Sequence, residues 1–110
     1  MTVTTTRAGD TLILRVAGRL DGTTSAEFVE MWRQCMTSEI RRTVMDFESL
    51  EYLSSAGLRA ILLAGKAMRA SSGVLGLSGL RGRVKDILEM AGFCAMFPVY
   101  DSVQAALEQH

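Results

Sequence analysis

The chain has 110 residues, enough for one domain over residues 1–110 with its own hydrophobic core and no need of disulfide or metal staples. Its 12 basic and 12 acidic side chains cancel, and 48% hydrophobic with 22% charged residues is an ordinary globular balance. This argues against a nucleic-acid surface, which needs clustered Lys and Arg; the densest basic stretch, Arg81, Arg83 and Lys85, reads as a solvated helix start.

Val3 to Arg7 reads as a short edge strand that turns at Ala8-Gly9-Asp10. Thr11 to Val16 alternates, with Leu12, Leu14 and Val16 on one face and Thr11, Ile13 and Arg15 on the other. Gly18-Arg19-Leu20-Asp21-Gly22 closes that strand. Asp21, Thr23, Thr24 and Ser25 are candidate caps for the next helix, whose Phe28, Met31, Trp32 and Cys35 form one apolar stripe at i, i+3, i+4 and i+7. Trp32 therefore reads as core. Val44 to Phe47 is almost continuously apolar, as in a strand covered on one or both faces.

A helix follows from the Ser54-Ser55-Ala56-Gly57-Leu58 junction to about Ala70, ending at Ser71-Ser72-Gly73. Val74 to Leu77 is the next strand. Gly73, Gly76, Gly79 and Gly82 recur every three residues without any phosphate-loop arrangement, and they read as a loosely specified strand end and loop. Val84, Ile87, Leu88 and Ala91 make a helical face, with Gly92 suited to the position after the helix. Phe97-Pro98-Val99-Tyr100 is a short last strand, and Asp101 or Ser102 caps a final helix through Val103, Ala106 and Leu107. The order β-β-α-β-α-β-α-β-α predicts an α/β fold with a mostly parallel sheet.

Little points to catalysis. Cys35 and Cys94 lack CxxC spacing and read as small buried hydrophobes, and the single histidine is the terminal His110. No metal site, Ser-His-Asp or Cys-His arrangement, cofactor or nucleotide loop is expected. No signal peptide or membrane-length apolar run is visible, so a cytoplasmic protein with reduced thiols and no membrane contact is expected, monomeric for want of a coiled-coil pattern.

The informative feature is the junction. A serine between an apolar strand and an apolar helix is first of all an N-cap, its oxygen accepting from an orphan N–H. No Glu or Gln follows at the capping-box offset, since Gly57 and Leu58 stand three residues after Ser54 and Ser55; the first charge is Arg59. The open helix start, with its positive dipole end, tolerates a phosphate, which adds roughly −1.5 to −2 charges to the surface without unfolding the helix.

Taken together, Gly18-Arg19-Leu20-Asp21, Val44-Met45-Asp46-Phe47, Tyr52-Leu53-Ser54-Ser55-Ala56-Gly57-Leu58 and Phe97-Pro98-Val99-Tyr100-Asp101-Ser102-Val103 resemble the STAS domain, specifically bacterial anti-sigma factor antagonists of the SpoIIAA and RsbV type. The resemblance spans almost the whole chain. It implies a single mixed, mostly parallel sheet of about five strands with about four helices, largely on one face. It implies a partner switch: the unmodified antagonist binds an anti-sigma factor that is a GHKL-type serine kinase, phosphorylation releases it, and a PP2C-type phosphatase restores binding. The family's acceptor, two residues before the motif glycine, falls on Ser55. Ser54 stands where the family often has Asp, and Ala56 where it often has a second Ser or Thr. The implied partner surface comprises Asp21, Ser54, Ser55, Ala56, Gly57 and Arg59. Asp21 reads equally well as a helix cap, and Asp46 as a loop anchor. The other reading is a STAS docking subunit of a transport ATPase or stress-sensing assembly, without phosphorylation control.

Overall fold

The computed structural model describes residues 1–109; His110 lies outside them. The elements are β1 (Thr2–Ala8), β2 (Thr11–Leu20), α1 (Ser25–Cys35), β3 (Arg42–Asp46), β4 (Leu50–Leu53), α2 (Ser55–Ala70), β5 (Val74–Ser78), α3 (Gly82–Met90), α4 (Phe93–Met96), β6 (Val99–Tyr100) and α5 (Val103–Glu108). Strands β1, β2, β3, β5 and β6 lie side by side in that order, and β4 joins the far half of β2. The β1–β2 hairpin is antiparallel and turns through Gly9 at φ 62; every other pairing is parallel.

Strand alternation decides the layers. Leu12, Leu14, Val16, Met45, Leu75 and Leu77 face a core completed by Phe28 and Trp32 of α1, Ile61, Ala64 and Met68 of α2, Val84 and Leu88 of α3, and Phe93 of α4. The Trp32 indole donates to the buried Thr43 hydroxyl at 3.1 Å, so the one polar group of each side chain is satisfied inside this core. On the other face the buried Ile13 and Val44 are apolar too, and α5 covers that side, packing on β3, β5 and β6 with Val103 and Ala106 buried. Helices α1 to α4 thus share one face and α5 takes the other, because alternate residues of β2 and β3 are apolar on both sides.

The structure adds two elements to the sequence-based order, β4 and α4, and each is only four residues long. The last strand is confined to Val99–Tyr100, with Phe97 turned into the core. The expected strand end at Gly18 is instead a bulge: Gly18 adopts φ 87, its N–H donates to the Ser49 carbonyl at 3.1 Å, and β2 continues to Leu20. Three glycines of the series after Ser72, Gly73, Gly76 and Gly79, are closely packed, whereas Gly82 has open space around it. A side chain at Gly76 would meet the Tyr100 ring at 3.0 Å, and one at Gly79 (φ 68) would meet the Asp46 carboxylate at 2.5 Å. Asp46 anchors that corner, accepting from the Ser78 hydroxyl (3.4 Å), the Glu48 N–H (3.3 Å) and Arg15 (3.3 Å).

The bulge positions the site. It lets β4 run parallel to the end of β2, with Leu53 opposite Leu20. The two chain segments leaving the carboxyl ends of these strands, the β2–α1 turn and the β4–α2 junction, emerge side by side, where parallel sheets commonly place their functional groups.

Candidate functional site

The two serines at the junction have different environments. Ser54 is the N-cap of α2 (φ −102, ψ 176): its hydroxyl accepts from the Gly57 N–H at 3.3 Å, and its own N–H donates to the Leu20 carbonyl at 3.1 Å. It is half-buried and already engaged. Ser55, the first helical residue, is exposed, and its hydroxyl makes no hydrogen bond among the described residues. Its N–H and that of Ala56 are two of the helix's orphan donors. Ser54→Ala is expected to cost about 1 kcal/mol, the usual worth of a cap, measured as a fall in the urea midpoint with the slope unchanged.

Ala56 is half-buried, Gly57 is buried and Arg59 is exposed. A Cβ on Gly57 would lie 2.6 Å from the Leu20 carbonyl oxygen and 2.7 Å from Leu53 Cδ1. Gly57 therefore does not present itself to a partner; it lets α2 seat directly on the ends of β2 and β4. Beside Ser55 runs a shallow groove of about 260 Å3 between Ala26 and Val29 of α1 and Ala56, Arg59, Ala60 and Leu63 of α2. A second groove, of about 350 Å3, lies across α2, where Leu62, Lys66 and Arg69 face Met96 and Phe97.

Asp21 organises the neighbouring turn. Its carboxylate accepts from the Thr23 hydroxyl (2.8 Å), the Thr23 N–H (2.9 Å) and the Arg19 guanidinium (3.3 Å). The Thr24 hydroxyl accepts from the Asp21 N–H at 2.9 Å and donates to the Arg19 carbonyl at 3.0 Å. The Thr23 bonds, with a smaller contribution from Arg19, hold the Asp21 carboxyl below the usual carboxylate range. A depressed carboxylate supports the fold above its unfolded pKa and loses that support as pH falls through its lower folded value. The Thr23 amide resonance is therefore expected to stay constant through neutral pH and to titrate only on the acid side of the ordinary carboxylate range. A titration of that amide near neutrality would contradict this arrangement.

The sequence reading missed two residues of this surface, Arg19 and Tyr52. The Arg19 guanidinium stacks over the Tyr52 ring at 4.1 Å from its centroid while it pairs with Asp21, so the β2–α1 turn and the end of β4 are cross-braced. The available signal was Gly18, since a glycine inside a strand pattern points to a bulge that re-aims its neighbour. Cys94, half-buried, has its thiol pushed up by burial and then by Glu89, which suits an inert packing residue. Among the described residues no group of three or more His, Cys, Asp or Glu is placed to hold a metal ion, and no helix is long and apolar enough to cross a membrane.

The STAS domain family model matches residues 2–106. The chain belongs to the STAS domain family. BtrV of Bordetella bronchiseptica, assigned by name to the anti-sigma factor antagonists, is 46% identical over 66 residues, which are 60% of this chain and 57% of that protein, so the match spans little more than half of that relative. The anti-sigma F factor antagonist of Paenibacillus polymyxa is 30% identical over 103 residues, covering 89% of this chain and 85% of that one. The phosphorylated form of the Bacillus cell fate determinant SpoIIAA superposes with a TM-score of 0.77 at 14% identity, over 99% of this chain and 100% of that one, and shares the fold. Within the STAS family this chain closely resembles anti-sigma factor antagonists, which regulate and do not catalyse.

Proposed function

We propose that this STAS domain is an anti-sigma factor antagonist in a partner-switching pathway, controlled by phosphorylation of Ser55. The unmodified form binds an anti-sigma factor that is also a GHKL-type serine kinase, and so releases sigma. Phosphate on Ser55 ends that binding, and a PP2C-type phosphatase restores it. One observation carries the assignment to Ser55: of the two junction hydroxyls, that of Ser54 is occupied as a helix cap, whereas that of Ser55 is exposed and free beside the α1–α2 groove. The resemblance to the antagonists of Bordetella and Paenibacillus supports the general role. The partner surface would comprise Ser55, Ala56 and Arg59 with Asp21 and the Arg19–Tyr52 pair, while Ser54 and Gly57 hold its shape.

Intact-mass spectrometry after incubation with ATP and each GHKL-type serine kinase of the same genome tests this, with Ser55→Ala alongside. A single phosphate addition that vanishes in Ser55→Ala is expected. No addition with any kinase, or an addition that persists in Ser55→Ala, overturns the assignment and leaves a constitutive docking module.

A further inference from the structure

Helix α2 has an unusual charge distribution. It carries Arg59, Lys66 and Arg69 and no acidic residue, although the chain is neutral overall and α1, α3 and α5 all contain Asp or Glu. All three cations are exposed, and none forms an ion pair among the described residues. Their spacing is ordered as well. Ser55, Arg59, Leu62, Lys66 and Arg69 follow at alternating intervals of four and three, which aligns them along one outer face. The buried Gly57, Ala60, Ile61, Ala64, Gly65 and Met68 occupy the opposite side. In the middle of the line Leu62 is half-buried, and Leu63, turned toward the α1 groove, is 44% exposed. Grooves of about 260 and about 350 Å3 flank this line on its two sides.

We propose that this face of α2 docks an acidic amphipathic helix of the partner protein. A second helix can lie along such a line with its side chains entering the flanking grooves, and because Leu62 is the one apolar residue of the line the contact is mainly electrostatic. The apolar contact falls at Leu62 and Leu63. Arg59 at one end and Lys66 and Arg69 at the other call for acidic residues opposite them, since like charges there would be repelled. The line from Ser55 to Arg69 is about 21 Å long at 1.5 Å per residue, which is ample for several turns of contact. The partner-switching reading supplies the partner and the phosphate, but the docking geometry stands without it. A phosphate on Ser55 would lie at one end of the same line, facing the acidic helix. Arg59 is one turn further along, and helical side chains lean toward the N-terminus, so its guanidinium would be drawn onto the phosphate and away from the partner. Phosphorylation would then both repel the partner and remove one of its anchors.

The test uses the full 15N-labelled chain and a hydrocarbon-stapled helical peptide of about five turns, roughly 18 residues, carrying Leu and Glu at four-and-three spacing. Saturable amide shifts centred on Arg59 through Arg69 and reaching the groove walls at Val29 and Met96 are expected. They should be lost in Lys66→Glu/Arg69→Glu, whose exposed positions leave the rest of the spectrum intact, and absent with a peptide carrying Lys in place of Glu. No saturable shift on α2, or an equal response to the Lys peptide, overturns the proposal. In a second arm the double variant meets the kinase that modifies Ser55, and its affinity should fall about tenfold or more. An unchanged affinity rejects the docking face and leaves the partner switch standing. If no kinase modifies Ser55, the partner switch fails, and the peptide result alone decides the docking face.

Discussion

Gly57→Ala is expected to destabilise the protein by about 2–3 kcal/mol and to lower its melting temperature by roughly 10 °C. The new methyl group would stand 2.6 Å from the Leu20 carbonyl oxygen and 2.7 Å from Leu53 Cδ1. The Leu53 side chain can yield a little. The carbonyl cannot, because it is backbone at the end of β2 and accepts the Ser54 N–H at 3.1 Å. Relief therefore requires α2 to lift off the sheet, which loosens the packing of Ile61, Ala64 and Met68 beneath it. Alanine's better helix propensity returns about 1 kcal/mol of the gross cost, which is why the net figure is moderate. Urea denaturation gives the change, and hydrogen exchange at the Ser54 amide locates it, since that bond must open first. A variant as stable as the parent would show that α2 does not depend on this close approach.

Phosphorylation of Ser55 is expected to weaken kinase binding by more than about a hundredfold, equivalent to about 3 kcal/mol. The charge arrives among small side chains at the junction, and an acidic partner group opposite it is both repelled and left unpaired. Ser55→Ala should keep the unmodified affinity and lose the switch, and its stability should stay within about 0.5 kcal/mol of the parent because the side chain is exposed. Ser55→Asp should fall between the two, since one carboxylate carries half the charge of a phosphate and fewer acceptor oxygens. Titration calorimetry of the three variants and the phosphorylated chain against the kinase measures the series. Equal affinity of the phosphorylated and unmodified chains would end the partner-switch reading.

The elements with a strong period were legible in the sequence. The alternation of Leu12, Leu14 and Val16 and the stripe of Phe28, Met31, Trp32 and Cys35 are consequences of side-chain geometry within one element, and the structure buries all of them except Met31 and Cys35, which are half-buried. Short elements were not legible: Leu50–Leu53 and Phe93–Met96 are shorter than the window over which a period can be read, and each exists because of what it packs against. Pro98 and the aromatic run around it suggested a strand from Phe97, but Phe97 is turned into the core against Phe93, ring centroids 5.7 Å apart. Met68 and Met96 show the same limit. One is fully buried and the other 44% exposed, a difference that local sequence does not encode.

At the candidate site the division is sharper. The order of residues alone established a serine pair at a helix start, with no carboxylate in the first turn and a glycine two residues after Ser55, because caps, turns and helix dipoles are local matters. Only the tertiary structure decided which serine is free and what surrounds it. The bulge at Gly18 carries Leu20 next to Leu53, the Leu20 carbonyl then holds Ser54 and requires Gly57, and the same bulge turns Arg19 onto Tyr52 and Asp21. Apart from the local Arg19–Asp21 pair, these contacts join segments more than thirty residues apart in the chain, and such pairings are set by how the strands register and the helix seats, which no local pattern contains.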